Sequence, residues 1–472
     1  MAKGLPDRRT FLKMGAATWG GVLAAQQRGL HLQPHGVEKR PNIVLIYADD
    51  LGYGDPGCYG GELSTPNLDS MARQGALFRS FCSASAVCSP SRAALLTGRY
   101  PARVGVTDVL HPDSTTGLAL NETTLADSLK GAGYATMCVG KWHLGSQPDY
   151  MPTKRGFDEF FGLPYSNDMS PLPLIQNTTV IEQPADLATL TGRYTDQAVS
   201  FIDRNRNKPF FLYMAHTFPH IPLAASPRFL GKSGFGLYGD AVEEVDWSVG
   251  EVLRAIQGNG LDQDTLVMFS SDHGPWFQGS AGSLHGRKGE TFEGGMRVPF
   301  LARFPGRILP GTVVDGLATN LDVLPTVAGL AGAALPAKPL DGVDIWPMMA
   351  ESRSGHTASV ERDAFLYFDS GYLQCARLGP WKLHVARFNA PPWLDLPAHF
   401  RQNLPLADPE LYNLDTDPGE RYDVSSEHPE IVAAIRARMN ALVPTFPDPV
   451  PSLWKSCAGA TAQYCPSGGW PG

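Results

Sequence analysis

Four apolar runs in this 472-residue chain end in the same manner. "NIVLIYADD" closes on Asp49-Asp50, "YATMCVGKWH" on Lys141 and His143, "PFFLYMAHTFPH" near His216 and His220, and "TLVMFSSDHG" on Asp272-His273. Near-continuous apolar runs of this length predict strands buried on both faces, as in parallel sheets. Helical patterns separate them: "TPNLDSMARQGALF", "TTLADSLKGAG" and "YGDAVEEVDWSVGEVLRAIQGNG". Strands alternating with helices predict an α/β fold, a mainly parallel central sheet flanked by helices. Ligands bind beyond the carboxyl ends of such strands. All four polar endings are therefore expected along one sheet edge.

Asp49-Asp50 ahead of Gly52, and Asp272-His273-Gly274, would each pass as turn residues alone. Two such pairs at the ends of buried strands carry more weight. Three carboxylates aimed at one spot repel unless a cation sits among them. Oxygen-rich donors favour a hard divalent ion, Ca²⁺ or Mg²⁺, and the imidazole leaves room for Mn²⁺ or Zn²⁺. Lys141 and His143 are two residues apart, so in an extended segment they share a face.

The stretch "CSPSRAALLTG" begins at Cys88. Ser89 reads as an N-cap, Pro90 as the first helical residue and Gly98 as the stop. Cys88 then stands just ahead of a helix N-terminus, where unpaired N–H groups favour an anion, and Arg92 can reach back towards it. On these residues alone Cys88 could be a nucleophile, half of a disulfide, a buried small hydrophobe or the precursor of another group. The wider Cys–Arg spacing of cysteine-dependent phosphatases does not match.

The length exceeds one ordinary domain. Net charge is −8, from 39 basic and 47 acidic residues, which argues against a nucleic-acid partner. An anionic substrate would need a local basic cluster, because the global field repels it. At the N-terminus, "DRRTFLKMGAATWGGVLAA" resembles a twin-arginine export signal, taken as residues 1–30. Its apolar run is too short to span a bilayer, and no other stretch suggests an integral membrane protein. A catalytic domain is expected over 38–350. Beyond it, "AFLYF", "YLQCARL", "WKLHVARF" and "ELYNL" predict an antiparallel sheet, and "HPEIVAAIRARMNALV" a helix presenting Ile431, Ile435, Met439 and Leu442. These form a smaller C-terminal α+β domain over 351–450, followed by a Cys/Pro/Gly-rich tail, 451–472. Residues 381–408 are expected to contribute a long loop. The seven cysteines leave at least one unpaired; Cys457 and Cys465 are the expected disulfide, and Cys138 a buried thiol.

Cys88-Ser89-Pro90-Ser91-Arg92 with "AALLTG" resembles the signature of the type I sulfatases of the alkaline-phosphatase superfamily, and of the arylsulfatase A kind among them. "GYATMCVGKWH" resembles their second signature, and the similarity runs from about Pro41 to Val443. The resemblance implies hydrolysis of sulfate esters, on sulfated carbohydrates or aryl sulfates. It implies that a formylglycine-generating enzyme oxidises Cys88 to formylglycine, whose hydrate carries two hydroxyls. One attacks sulfur, and the other expels the sulfate as the aldehyde returns. By motif, Asp49, Asp50, Asp272, His273 and the modified Cys88 would hold one Ca²⁺, although many members have Asn where His273 stands. Arg92 would hold the diol, Lys141 and Lys288 (in "GRKGETFEGG") the sulfate oxygens. His143 would take the proton that triggers sulfate release, and His220 would assist the leaving group or bind sulfate. His216 falls outside the motif and is expected to be structural. Expected partners are a sulfated substrate, the formylglycine-generating enzyme and the twin-arginine machinery, with a periplasmic or secreted location. A phosphate mono- or diester hydrolase of the same superfamily, or a silent sulfated-glycan binder lacking the oxidation, are the alternatives.

Overall fold

The computed structural model describes residues 39–350, 358–390, 394 and 400–458. The twin-arginine stretch and the Cys457–Cys465 pairing lie outside the residues whose placement is described. Four strands carry the predicted runs: β1 (Asn42–Ala48), β2 (Ala135–Lys141), β3 (Phe210–Ala215) and β4 (Thr265–Ser271). They lie side by side in the order β4-β1-β3-β2, all parallel, within a ten-stranded sheet. Glu159–Leu163 extends the parallel set beyond β2. Antiparallel pairings occur only outside this block, at Phe300–Arg303 on one flank and at the Leu174–Gln176 and Thr179–Glu182 hairpin on the other. The sheet is thus mixed at its margins and parallel where the polar endings are.

The parallel strands are buried along nearly their whole length, which is why their sequences show no alternation. Helices Pro66–Gln74 and Gly236–Gly258 form where the helical patterns predict them. Leu190–Asn205 is a further helix, which packs Tyr194, Ala198, Phe201 and Ile202 into the main core. No helix among the described residues is long and apolar enough to cross a membrane.

A second sheet is wholly antiparallel: β5 (Phe365–Asp369), β6 (Tyr372–Leu378), β7 (Trp381–Phe388) and β8 (Asn403–Asn413), in that order. The expected 381–408 loop is narrower, since β7 and β8 claim both of its ends. The helix Pro429–Leu442 buries Ile435 and Met439, with Ile431 and Leu442 partly covered. The presumed tail begins with another helix, Val450–Ala458. One apolar core packs this antiparallel sheet and its helix, through Leu366, Leu383 and Met439, against Cys82, Ala94 and Met296 of the preceding region.

A buried ionic cluster reinforces that junction. The Glu293 carboxylate accepts from Arg297 Nε at 2.6 Å, Lys382 Nζ at 3.1 Å and the Tyr367 hydroxyl at 3.1 Å. Lys382 also reaches Glu420 at 2.9 Å and donates to the Thr291 carbonyl at 2.8 Å. His384 Nε2 lies 2.7 Å from Glu420. Burial alone would lower the His384 pKa; the Cys375 sulfur and the Glu420 carboxylate raise it to about 9. A group with a raised native pKa stabilises the fold fully below its unfolded value, near 6.5, and ceases to as pH climbs through 9. The difference in urea-unfolding free energy between wild type and His384→Gln should therefore shrink by about 3 kcal/mol from pH 6 to pH 10. A difference independent of pH would contradict this assignment.

Candidate active site

The register brings the four strand endings level. Tyr47 pairs with Ala215, Ala48 with Ser271, and Gly140 with Ala215, so the residues that follow emerge along one line. Gly140 is obligatory there: its φ is +102°, and a Cβ would stand 1.8 Å from the Ala215 carbonyl oxygen. Asp50 and His143 adopt left-handed backbone, φ 64° and 59°, uncommon for such residues and concentrated at functional sites.

At this edge Asp49, Asp50 and Asp272 are fully buried. Each has a cationic partner. Lys141 Nζ lies 2.5 Å from Asp49 Oδ2 and 3.1 Å from Ser166 Oγ. Lys288 Nζ donates to both oxygens of Asp50, at 2.8 and 2.9 Å. Arg92 grips Asp272 Oδ2 through Nε at 3.2 Å and Nη2 at 3.0 Å, and its Nη1 donates to the Lys141 carbonyl at 3.0 Å. Burial by itself would raise the pKa values of Asp49 and Asp50. Lys141 foremost, with His220 and Arg92, holds Asp49 well below the usual range, and Lys288 draws Asp50 down. Lys141 and Lys288 are raised in turn, by Asp49 and Asp50, against their own burial.

Cys88 heads the helix Cys88–Thr97 and is itself its first residue. The cap expected at Ser89 is not made: Val87 is the N-cap, Pro90 lies within the first turn, and Ser89 Oγ accepts from Leu110 N at 3.1 Å instead. A tertiary donor outcompetes the local cap, while Gly98 ends the helix in the left-handed conformation as expected. Cys88 Sγ sits 3.3 Å from His273 Nε2 and 3.7 Å from Asp49 Oδ1. Burial pushes its pKa up to about 12, so it is a neutral thiol and a poor nucleophile. Arg92 does not reach back for that sulfur as a partner; it ties the helix to Asp272.

Several supporting residues escaped the sequence reading. Ser91 Oγ donates to the Asp272 carbonyl and receives Ser83 Oγ at 2.9 Å. Asn320 Nδ2 donates to the Ser91 carbonyl at 3.1 Å, and Ser271 Oγ accepts from Leu51 N at 3.0 Å. These serines and the asparagine carry no spacing signal, because their partners are distant in sequence.

The histidines divide by tautomer. His273 Nδ1 donates to the Gly274 carbonyl at 2.9 Å, leaving the Nε2 lone pair facing Asp50, Asp272 and Cys88. His220 Nδ1 contacts the Ile221 carbonyl, and its Nε2 is 3.8 Å from Asp50 Oδ2. His143 is the reverse: Nε2 donates to the Leu110 carbonyl at 2.9 Å, and buried Nδ1 has no partner. Burial, then Lys141 and Arg92, hold His143 well below the usual imidazole range, so Nδ1 is a lone pair near two cations. His216, by contrast, joins none of the site's hydrogen bonds; burial takes its pKa to about 3.

The donor atoms of Asp49, Cys88, Asp272 and His273 lie within 4.8 Å of one another, as do those of Asp49, Asp50, Cys88 and His220. Three of these six residues are carboxylates, the donors a hard cation takes, and the His273 tautomer leaves a nitrogen free to join them. The residues thus fit one divalent ion.

Comparison with known proteins supplies the family. The Sulfatase family profile matches residues 41–333, and the profile of the C-terminal region of aryl-sulfatase matches 360–468. The chain belongs to the sulfatase family. It is 39% identical to human arylsulfatase A over 91% of this chain and 96% of that protein. It is 37% identical to N-acetylgalactosamine-6-sulfatase of Rattus norvegicus over 93% and 92% of the two chains. Among solved structures, Ps i-CgsB in complex with k-i-k-neocarrahexaose is 30% identical with a TM-score of 0.72, covering 85% of this chain and 92% of its own. This sulfatase is accordingly a sulfuric ester hydrolase, built on a large mixed sheet with an antiparallel C-terminal sheet beside it.

Proposed function

We propose that this sulfatase hydrolyses sulfate esters of carbohydrates, accepting aryl sulfates as surrogates, through a formylglycine made from Cys88 and one Ca²⁺ ion. The observation that carries the reading is the setting of Cys88. It is a buried, neutral thiol at the centre of a hard-metal donor set, where neither thiolate chemistry nor a disulfide is served. Oxidation by a formylglycine-generating enzyme replaces that sulfur with an aldehyde, whose hydrate would offer oxygens to the same spot. Asp49, Asp50, Asp272 and His273 would hold the cation together with residue 88. When bound, the cation supplies the positive charge that makes a hydroxyl nucleophilic and offsets the sulfate oxygens.

The remaining work falls to the chain's own groups. Arg92 fixes the helix bearing residue 88 against Asp272. Lys141 and Lys288 stay protonated and donate to sulfate oxygens, with Lys288 serving the departing oxygen. His143 accepts at Nδ1 the proton whose loss expels sulfate. His220 receives a proton at Nε2 before it can give it to the leaving group. The arginine pair at Arg8-Arg9 supports export through the twin-arginine machinery to the periplasm or beyond. The complex of Ps i-CgsB with an oligosaccharide supports a carbohydrate substrate. Both donor groups share Asp49 and Cys88, which favours one metal and sulfate over a two-metal phosphate hydrolase.

Asp50→Asn should lose bound metal and activity together, the latter by at least about a hundredfold. Active protein without a stoichiometric divalent ion by elemental analysis would overturn the metal assignment. The two histidines should differ in which step they govern. His143→Ala should slow sulfate release, so that quenched enzyme carries covalent sulfate. His220→Ala should slow the first step, most for sugar alcohols and least for activated phenols. Mass spectrometry beside rates on good and poor leaving groups reads both. Covalent sulfate in the His220 variant alone would reverse the roles, and equal losses blind to the leaving group would deny both.

A further inference from the structure

A cleft of about 710 Å³ opens between the 279–287 loop and the 419–421 turn of the C-terminal region. Neither segment belongs to the catalytic constellation, yet the first runs directly into Lys288. The two walls touch closely: a Cβ on Gly419 would stand 2.9 Å from the Ser283 carbonyl oxygen. Arg287, His285 and Arg421 supply the charge and polarity of the lining. The carboxylate on that wall, Glu420, is buried and engaged by Lys382 at 2.9 Å and His384 at 2.7 Å. Among the described residues, neither the Arg287 nor the Arg421 guanidinium forms an ion pair. Arg421 Nη2 reaches only the Ser283 carbonyl, at 3.5 Å, and Glu290 accepts from the Arg287 backbone N–H at 3.0 Å.

Two consecutive cations are held on two consecutive aromatic rings. Lys288 Nζ lies 5.7 Å from the Trp276 ring centre, and the Arg287 guanidinium 4.4 Å from that of Phe277. The two rings meet edge to face at 5.0 Å. Lys288 faces the buried Asp50, whereas Phe277 is 53% exposed. One cation of the pair therefore serves the reaction centre and the next stands one residue outward, at the rim. A protein of net charge −8 repels polyanions unless such local cations gather.

We propose that this cleft binds a second anionic group of the substrate, a sulfate or carboxylate on a sugar beyond the one being desulfated, through Arg287 and Arg421. The inference rests on the sulfatase reading above and narrows it to oligosaccharides carrying more than one anion. Guanidinium groups suit such oxyanions because they donate in a planar fork.

The test is calorimetric binding of sucrose octasulfate, trigalacturonate and inorganic sulfate to the full chain carrying Cys88→Ala, which removes turnover. Arg287→Gln or Arg421→Gln in that background should each weaken one of the two larger probes about tenfold, with inorganic sulfate unchanged. The probe affected identifies sulfate or carboxylate as the second group. Arg287→Lys should recover part of the loss. With Cys88 intact, Arg421→Gln should hydrolyse 4-nitrophenyl sulfate within about twofold of wild type, since that substrate has one anion. Unchanged affinity for both larger probes, or equal weakening of inorganic sulfate, would overturn the proposal. Should the unmutated chain release no sulfate from 4-nitrophenyl sulfate, the hydrolytic reading fails, while the calorimetry still decides the anion site.

Discussion

Everything at the sheet edge follows from one electrostatic constraint: Asp49, Asp50 and Asp272 are buried within reach of one another and must be compensated. An isolated buried carboxylate would take up a proton rather than remain charged. Here Lys141, Lys288 and Arg92 supply the compensation, each from a different segment. The level register of β4, β1, β3 and β2 is what allows carboxylates from β1 and β4 to meet a lysine from β2. The same balance prepares the site for a doubly charged ion and for a substrate bearing negative charge. Were a divalent cation and a sulfate ester to enter together, the carboxylates would exchange ammonium partners for the cation and the ammonium groups would exchange carboxylates for the sulfate.

Much of this was legible in the chain. The apolar runs and their endings identified the parallel block, because burial on both faces removes alternation and leaves polar residues only where a strand stops. Asp49, Asp50, Asp272 and His273 converge as those endings require. Lys141 and His143 were legible as a pair, but the reason given for their shared direction fails: His143 leaves the extended conformation. Lys288 had no spacing signal and was found by resemblance alone. The cap at Ser89 was misread because a local preference lost to Leu110, a partner that sequence proximity does not reveal. Ser91, Ser271 and Asn320 were missed for the same reason.

The C-terminal sheet is more than an appendage. Its Lys382, with Glu420 from the segment that follows β8, holds the backbone at Thr291 and Glu293, just downstream of Lys288. The cluster is buried and charged, an arrangement that contributes less to net stability than to a unique geometry when all partners are present. These bonds hold the stretch that follows Lys288, a lysine that sits in a turn rather than on a strand or helix.

The account depends most on residue 88 acting with two oxygens on one carbon. Cys88→Ser retains one hydroxyl and lacks the second, so it can be sulfated but cannot expel the sulfate. The decisive measurement is product release by this variant from 4-nitrophenyl sulfate, with mass spectrometry of the position-88 peptide from it and from wild type. The account predicts about one nitrophenol per chain and a peptide heavier by roughly 80 Da, whereas active wild type lacks roughly 18 Da at Cys88. Sustained turnover by the variant, or full wild-type activity with an unaltered thiol at Cys88, would contradict it.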